Sequence, residues 1–362
     1  MSPSVLFDSS EHSDLKVVGL KWDPLADMFS FRVHPSKVNP TKRTVLSDIA
    51  MVFDPLGLMS PITFWTKYLM QRLWTSGVLW DDPIPADIET SWSRYQSELH
   101  LIEHIHIPRR LTCDNMISMQ LHAFYDSSEK GYSAAIYLRV ETTSEIHCQL
   151  ITGKSKVAPL KQTTIPWLEL CGAVLAARLL RFVTTTYNER LKIDETYAWT
   201  DSTTALAWIQ SSPHRWATFV ANRTSQIQEL TAPSIWRHVP TQDNPVDCAS
   251  RGLFPSELVD HPLWWTGPSF LKDSSEKWLP SPISTINNHG STTHLEEIKP
   301  TVLVVNFASG MMILLDRFSS LDKILWIVSY VYRFVSFQTS TATTAVVSAE
   351  EFMSNKSYFS MT

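Results

Sequence analysis

Four carboxylates stand where a folded chain can gather them: Asp126, Glu169, Asp201 and Asp247. Asp126 ends the apolar run Leu121-His-Ala-Phe-Tyr125, and Asp201 ends a second run, Tyr197-Ala-Trp-Thr200. Glu169 lies inside a helical stretch that opens at Pro166, and Asp247 follows the turn Asp243-Asn-Pro245. Hard oxygen ligands of this kind suit Mg²⁺ or Mn²⁺, and a pair of such ions supports in-line displacement at phosphorus. Each residue also has a plain structural use. Asp126 can cap the turn Ser127-Ser-Glu-Lys-Gly131, Asp201 and Asp247 can cap the helices that follow them, and Glu169 can sit at a helix edge. The combination favours a site, because two strand-end Asp residues on neighbouring strands lie close in space. His238 ends the last strand before Pro240, where an imidazole can move a proton. Lys154, Lys156, Lys161 and Arg215 flank the site and can contact phosphates, although such residues are usually solvated charges.

These residues need elements to position them. In a first block, residues 1–117, alternation predicts a strand pair over 17–22 and 28–33. Helices are expected over 41–53, capped at Thr41 or Thr44, over 61–74, and over 86–101. Residues 105–110 read as extended. A second block, 118–253, reads as strands at 118–126, 132–140 and 145–156, then a helix at 166–185 and a strand at 195–201. Helices at 202–210 and 216–230, a strand at 234–239 and a short helix near Asp247 follow. Adjacent strands at the start predict antiparallel hairpins. The later alternation predicts parallel pairing through crossovers. The expected class is α/β, a mixed five-stranded sheet with flanking helices, behind a more α+β N-terminal part. The third block, 254–362, holds a Pro-bounded segment at 261–268, a polar linker at 280–300, helices over 302–315 and 324–337, and a frayed tail from Thr339.

With 362 residues the chain has room for two or three domains. A net charge of −5 does not advertise a nucleic-acid binder, so any phosphate affinity must come from local clusters of Lys and Arg. Cys113, Cys148, Cys171 and Cys248 show no zinc spacing and read as free thiols in a reducing compartment. No signal peptide or membrane span is evident, so a soluble, intracellular protein is expected. An aspartic peptidase needs Asp-Thr/Ser-Gly, and Asp126-Ser-Ser128 and Asp201-Ser-Thr203 lack that glycine. There is no GxSxG, HExxH or P-loop. Asp81-Asp82 precedes Pro83 and reads as a turn.

Several motifs occur in a familiar order. They are Val18-Gly-Leu-Lys-Trp22, Thr41-Lys-Arg43, Phe53-Asp-Pro-Leu-Gly-Leu58, Ser60-Pro-Ile62 and Trp80-Asp-Asp-Pro83. Further on come Lys154-Ser-Lys-Val-Ala-Pro159, Ile165-Pro-Trp-Leu-Glu-Leu170, Trp199-Thr-Asp-Ser202 and Asn244-Pro-Val-Asp-Cys-Ala-Ser-Arg-Gly252. Together, over roughly residues 15 to 340, they resemble the polyprotein of BEL/Pao-type LTR retrotransposons. The resemblance implies that the first block is the end of a reverse transcriptase (last palm strands, thumb and connection). The second would be a ribonuclease H-like domain and the third a tether toward an integrase. It implies two Mg²⁺ or Mn²⁺ ions held by Asp126, Glu169, Asp201 and Asp247, with His238 in a mobile loop, acting on the RNA of an RNA–DNA hybrid. It also implies the remaining Pol domains as partners and a cytoplasmic setting in virus-like particles.

Two departures stand out: Trp167 replaces the usual Arg of Pro-Arg-Leu-Glu-Leu, and the polymerase Tyr-x-Asp-Asp and the integrase motifs are absent. The expectation is therefore a fragment or decayed copy. Its alternative function is a catalytically silent nucleic-acid-binding or scaffold remnant. This region of such elements has also been labelled a peptidase, a chemistry that the missing glycine argues against.

Overall fold

The computed structural model describes residues 15–17, 20–33, 39–112, 115–278, 296, 297 and 330. Residues 1–298 form one compact unit and 299–362 a second, in which only Tyr330 is described. The helix expected over 302–315, the helix expected over 324–337 apart from Tyr330, the linker expected over 280–300 apart from Glu296 and Glu297, the tail from Thr339, and Cys113 lie outside the described residues.

The first unit opens with a small antiparallel sheet. Strands β1 (Leu15–Val17), β2 (Leu20–Asp23) and β3 (Met28–Ser30) meander, and β4 (Ile107–Pro108) returns to pair with β3. The strand expected over 17–22 is therefore split between two strands. Three helices intervene: α1 (Lys42–Met51), α2 (Ser60–Thr75) and α3 (Ala86–Glu98). Thr41 caps α1 through a reciprocal exchange, since the Thr44 amide donates to the Thr41 hydroxyl and the Thr41 amide to the Thr44 hydroxyl. Past Glu98 the chain tightens into a 3₁₀ turn at Leu99–His104, so the expected helix ends earlier.

A five-stranded sheet follows, built from β5 (Met116–Ser128), β6 (Gly131–Thr142), β7 (Ile146–Val157), β8 (Glu195–Thr200) and β9 (Trp236–His238). Its order is β7-β6-β5-β8-β9. The first three strands are antiparallel hairpins; β8 and β9 join in parallel. The crossovers are made by α4 (Ile165–Tyr187), then by α5 (Thr203–Gln210) and α6 (Thr218–Leu230). This is the mixed α/β sheet that the strand–helix pattern predicts. The last strand is shorter than expected, because residues 233–235 form a 3₁₀ turn before it.

Alternation along β5 builds two cores. Leu121, Ala123 and Tyr125 face α4 and α6, together with Ala134, Ile136 and Ala198. Phe124 faces the other way, with Tyr137, Trp199 and Val239. That second face is covered by α2 and by three short helices, α7 (Asp247–Arg251), α8 (Pro255–Val259) and α9 (Pro262–Thr266). Trp264 of α9 is fully buried there and donates to the Leu58 carbonyl at 2.9 Å. Each large apolar side chain buried in this way contributes roughly 1.5–3 kcal/mol. The segment after α9 is pinned by Arg139, whose guanidinium is 1% exposed and donates to the carbonyls of Leu271 and Asp273.

The Asp-Pro-Leu-Gly turn docks the first block on the sheet. Gly57 has φ +69°, and a Cβ there would meet the Gly153 carbonyl of β7 at 1.8 Å. Thr152 Oγ1 and the Gly153 amide both donate to the Leu56 carbonyl. Asp54 accepts the amides of Leu58 and Met59, each at 2.8 Å, and so leads the chain into α2.

Candidate metal centre

The strand register brings the first two carboxylates together. In the parallel pair β5–β8, Phe124 sits beside Trp199. Two residues further along each chain come Asp126 and Asp201, on the same face by the period of two. Asp126 lies within β5, paired with Ser133, because the strand continues to Ser128. It neither ends the strand nor caps a turn. Asp201 follows the end of β8, and the N-cap of α5 is Ser202, whose hydroxyl accepts from the Ala205 amide. The Asp201 carboxylate is therefore not consumed as a cap.

Glu169 arrives from the opposite face on α4. The helix can place it there because Gly172, one turn on, lets α4 press against β5. A Cβ at Gly172 would lie 2.8 Å from the Tyr125 ring and 3.2 Å from Ser127 Oγ. Asp126, Glu169 and Asp201 each then offer a carboxylate oxygen, all within 4.8 Å of one another.

The electrostatics of the cluster show its character. Burial pushes the Glu169 carboxyl up to about 9, and the charges of Asp126 and Asp201 add to the rise. Burial also lifts Asp126 to about 7; the Ser250 hydrogen bond pulls the other way, while Asp201 and Asp247 push further. Glu169 Oε2 is buried with no hydrogen-bond partner among the described residues. An unpartnered oxygen inside a crowd of carboxylates is costly unless a cation joins it. The donor set is all carboxylate oxygen, which fits Mg²⁺ or Mn²⁺ and suits softer metals poorly.

The other expected residues are placed differently. Asp247, the first residue of α7, stands outside the three-residue cluster. Its Oδ1 accepts from Arg251 Nε at 2.8 Å, though its charge still reaches Asp126. His238 is half-buried on β9 and pairs in register with Thr200, next to Asp201. Lys154 and Lys156 are exposed on β7, and Lys161 is exposed in the loop before α4. Arg215 donates to Glu297 at 2.9 Å. Trp167 stacks on Phe219 with centroids 4.0 Å apart and donates to Glu296 Oε1 at 2.9 Å. The indole at this position is thus engaged by an acidic side chain from later in the chain.

Sequence reasoning missed Ser250 and Gly172 as positioning residues. Ser250 Oγ donates to Asp126 Oδ2 and is fully buried. Its signal was present in Asp247-Cys-Ala-Ser250, a single helical turn. Gly172 carried no signal, since a glycine in an apolar helix has many uses.

The family model described as Pao retrotransposon-like RNaseH-like domain matches residues 41–202. No curated protein matches the chain. Solved structures similar to it include a ribonuclease H1 from the halophilic archaeon Halobacterium salinarum NRC-1, with TM-score 0.23 and 16% identity over 34% of this chain and 89% of that one. An N-terminal RNase H domain from Mycobacterium tuberculosis gives TM-score 0.23 and 16% identity over 35% and 86%. A ribonuclease H1 isolated from compost by a metagenomic approach gives TM-score 0.25 and 13% identity over 35% and 87%. Among the described residues, no helix is long and apolar enough to cross a membrane.

Proposed function

We propose that this chain, which carries a Pao-type retrotransposon ribonuclease H region, hydrolyses the RNA strand of RNA–DNA hybrids. The observation that carries the reading is the approach of Asp126, Glu169 and Asp201 to within 4.8 Å around an unpartnered buried oxygen. Two divalent ions bound there would supply Lewis acidity at the phosphate and a lowered pKa for the attacking water. Asp126 and Asp201 would hold the ions from adjacent strands, and Glu169 would close the set from α4. Asp247 is a fourth, outer carboxylate. Ser250 keeps Asp126 in one rotamer. His238, beside Asp201, passes a proton to the departing 3′ oxygen. Strand choice rests on ribose 2′-OH contacts and on the shape of the hybrid. The remaining domains of a retrotransposon polyprotein are the proposed partners, and cytoplasmic virus-like particles the proposed setting.

The test is cleavage of a labelled hybrid with Mg²⁺ or with EDTA. Asp126→Asn and Asp201→Asn should each remove activity and leave the circular dichroism spectrum unchanged. Mg²⁺-dependent cleavage that survives in both variants refutes the assignment. A wild-type chain that binds the hybrid and never cuts it is the silent scaffold.

A further inference from the structure

We propose that Tyr125 is a positioning residue for the carboxylate cluster: its buried hydroxyl is the hydrogen-bond donor that holds Glu169 for a divalent ion. The inference rests on the metal-centre reading above and adds a residue that this reading does not use.

Asp126 already has such a donor in Ser250. Glu169 has none, since its Oε2 is buried without a partner among the described residues. Burial, Asp126 and Asp201 all act against its ionised form, and no described cation offsets them. A carboxylate offers about four lone-pair sites, and a metal ion takes only some of them, so an ionised Glu169 still needs a protein donor.

Tyr125 carries the matching deficit. The residue is fully buried, and its hydroxyl makes no hydrogen bond of ordinary geometry among the described residues. Its ring contacts need no oxygen, and a phenylalanine would serve them equally well. A buried O–H without an acceptor is a cost that packing alone leaves unexplained.

Packing sets the two side chains in one place. Gly172 follows Glu169 by three residues on α4, so both lie on the same face of the helix. At Gly172 the helix meets Tyr125: an added Cβ would lie 2.8 Å from Cδ2 of the ring and 3.5 Å from Cε2. The ring therefore runs under the turn of α4 that carries Glu169. Trp236 meets it edge-on, with centroids 5.8 Å apart. Burial does most to push the phenol pKa up, and the Glu169 charge comes next, ahead of Asp201 and of Asp126, the next residue in the chain. The phenol thus keeps the proton that it would donate. Thr200 Oγ1 lies beside the phenol and already accepts the Ser202 amide at 3.0 Å. The Thr200 proton can turn to the phenol oxygen, which leaves the phenol O–H for Glu169.

The test removes one oxygen atom and reads metal binding instead of turnover. Mn²⁺ affinity is measured on the full chain by electron paramagnetic resonance of the free ion. Tyr125→Phe should weaken it about tenfold, the usual cost of losing a group that orients a metal ligand. Its melting temperature in EDTA should stay at or above that of the parent, because the ring is kept and a buried unpaired group is gone. Tyr95→Phe is the control. That hydroxyl is likewise buried and unpartnered, but it belongs to α3 and its ring packs on Trp65 and Trp92. Its loss should leave Mn²⁺ affinity unchanged. Glu169→Asp draws the carboxylate back by one methylene and keeps its charge. On that background Tyr125→Phe should alter the affinity by less than about twofold, since the partner is out of reach. If the parent binds Mn²⁺ and Tyr125→Phe binds it equally well, the metal centre stands and Tyr125 has no part in it. An equal loss in Tyr95→Phe, or on the Glu169→Asp background, also overturns the proposal. A parent chain that binds no Mn²⁺ overturns the metal-centre reading, and this one with it.

Discussion

Ser250 donates its hydroxyl to Asp126 Oδ2 across 124 residues of chain, joining α7 to the middle of the carboxylate cluster. That bond favours the ionised form of Asp126 against burial and two neighbouring carboxylates. Ser250→Ala should raise the Asp126 pKa further and weaken Mg²⁺ binding by roughly 10-fold or more, the usual cost of losing a group that orients a metal ligand. Isothermal titration with Mg²⁺ measures it. An unaltered metal affinity would show that the hydroxyl does not position the carboxylate.

Gly172 keeps Glu169 in reach. An alanine there places its methyl 2.8 Å from the Tyr125 ring, so α4 must shift away from β5. Gly172→Ala should cut activity by about 100-fold, because displacements near 1 Å are enough for such losses. Stability should drop by only about 1–3 kcal/mol. Near-normal activity in the folded variant would mean that Glu169 is placed by other contacts.

The cluster makes stability depend on pH in a definite direction. Asp126 and Glu169 bind their protons more tightly in the folded chain than in the unfolded one, where such groups titrate near 4. Their contribution is fully present below about pH 4. It is lost as pH rises through about 7 for Asp126 and about 9 for Glu169. In EDTA, melting temperature should therefore fall between about pH 5 and pH 9. Mg²⁺ should restore it most at the alkaline end, and Glu169→Gln should flatten the profile. A variant that tracks the parent at every pH would exclude Glu169 as a source of the effect.

Arg139 predicts a purely structural loss. Its buried guanidinium donates to Leu271 and Asp273 carbonyls, to Gln120 and to Glu141. Arg139→Met leaves those carbonyls without donors under the sheet and should cost about 3–5 kcal/mol. Chemical denaturation is the measurement. A loss under about 1 kcal/mol would mean that water replaces the guanidinium without penalty.

The order of elements was legible in the sequence because its signals are local. Period-two runs such as Leu121–Tyr125, the Thr41 cap and Pro166 at the start of α4 each act within a few residues. Local signals also proposed the carboxylates and their metal chemistry. Which of them meet was decided only in three dimensions. The β5–β8 register set Asp126 beside Asp201, Gly172 admitted Glu169, and Arg251 drew Asp247 aside. Ser202 took the capping role that sequence had offered to Asp201. Glu296 and Glu297 claimed Trp167 and Arg215 from 129 and 82 residues away. The reason is physical: composition sets which groups can ligate or pair, while desolvation and competition among partners act only once the packed chain brings those groups within a few ångströms.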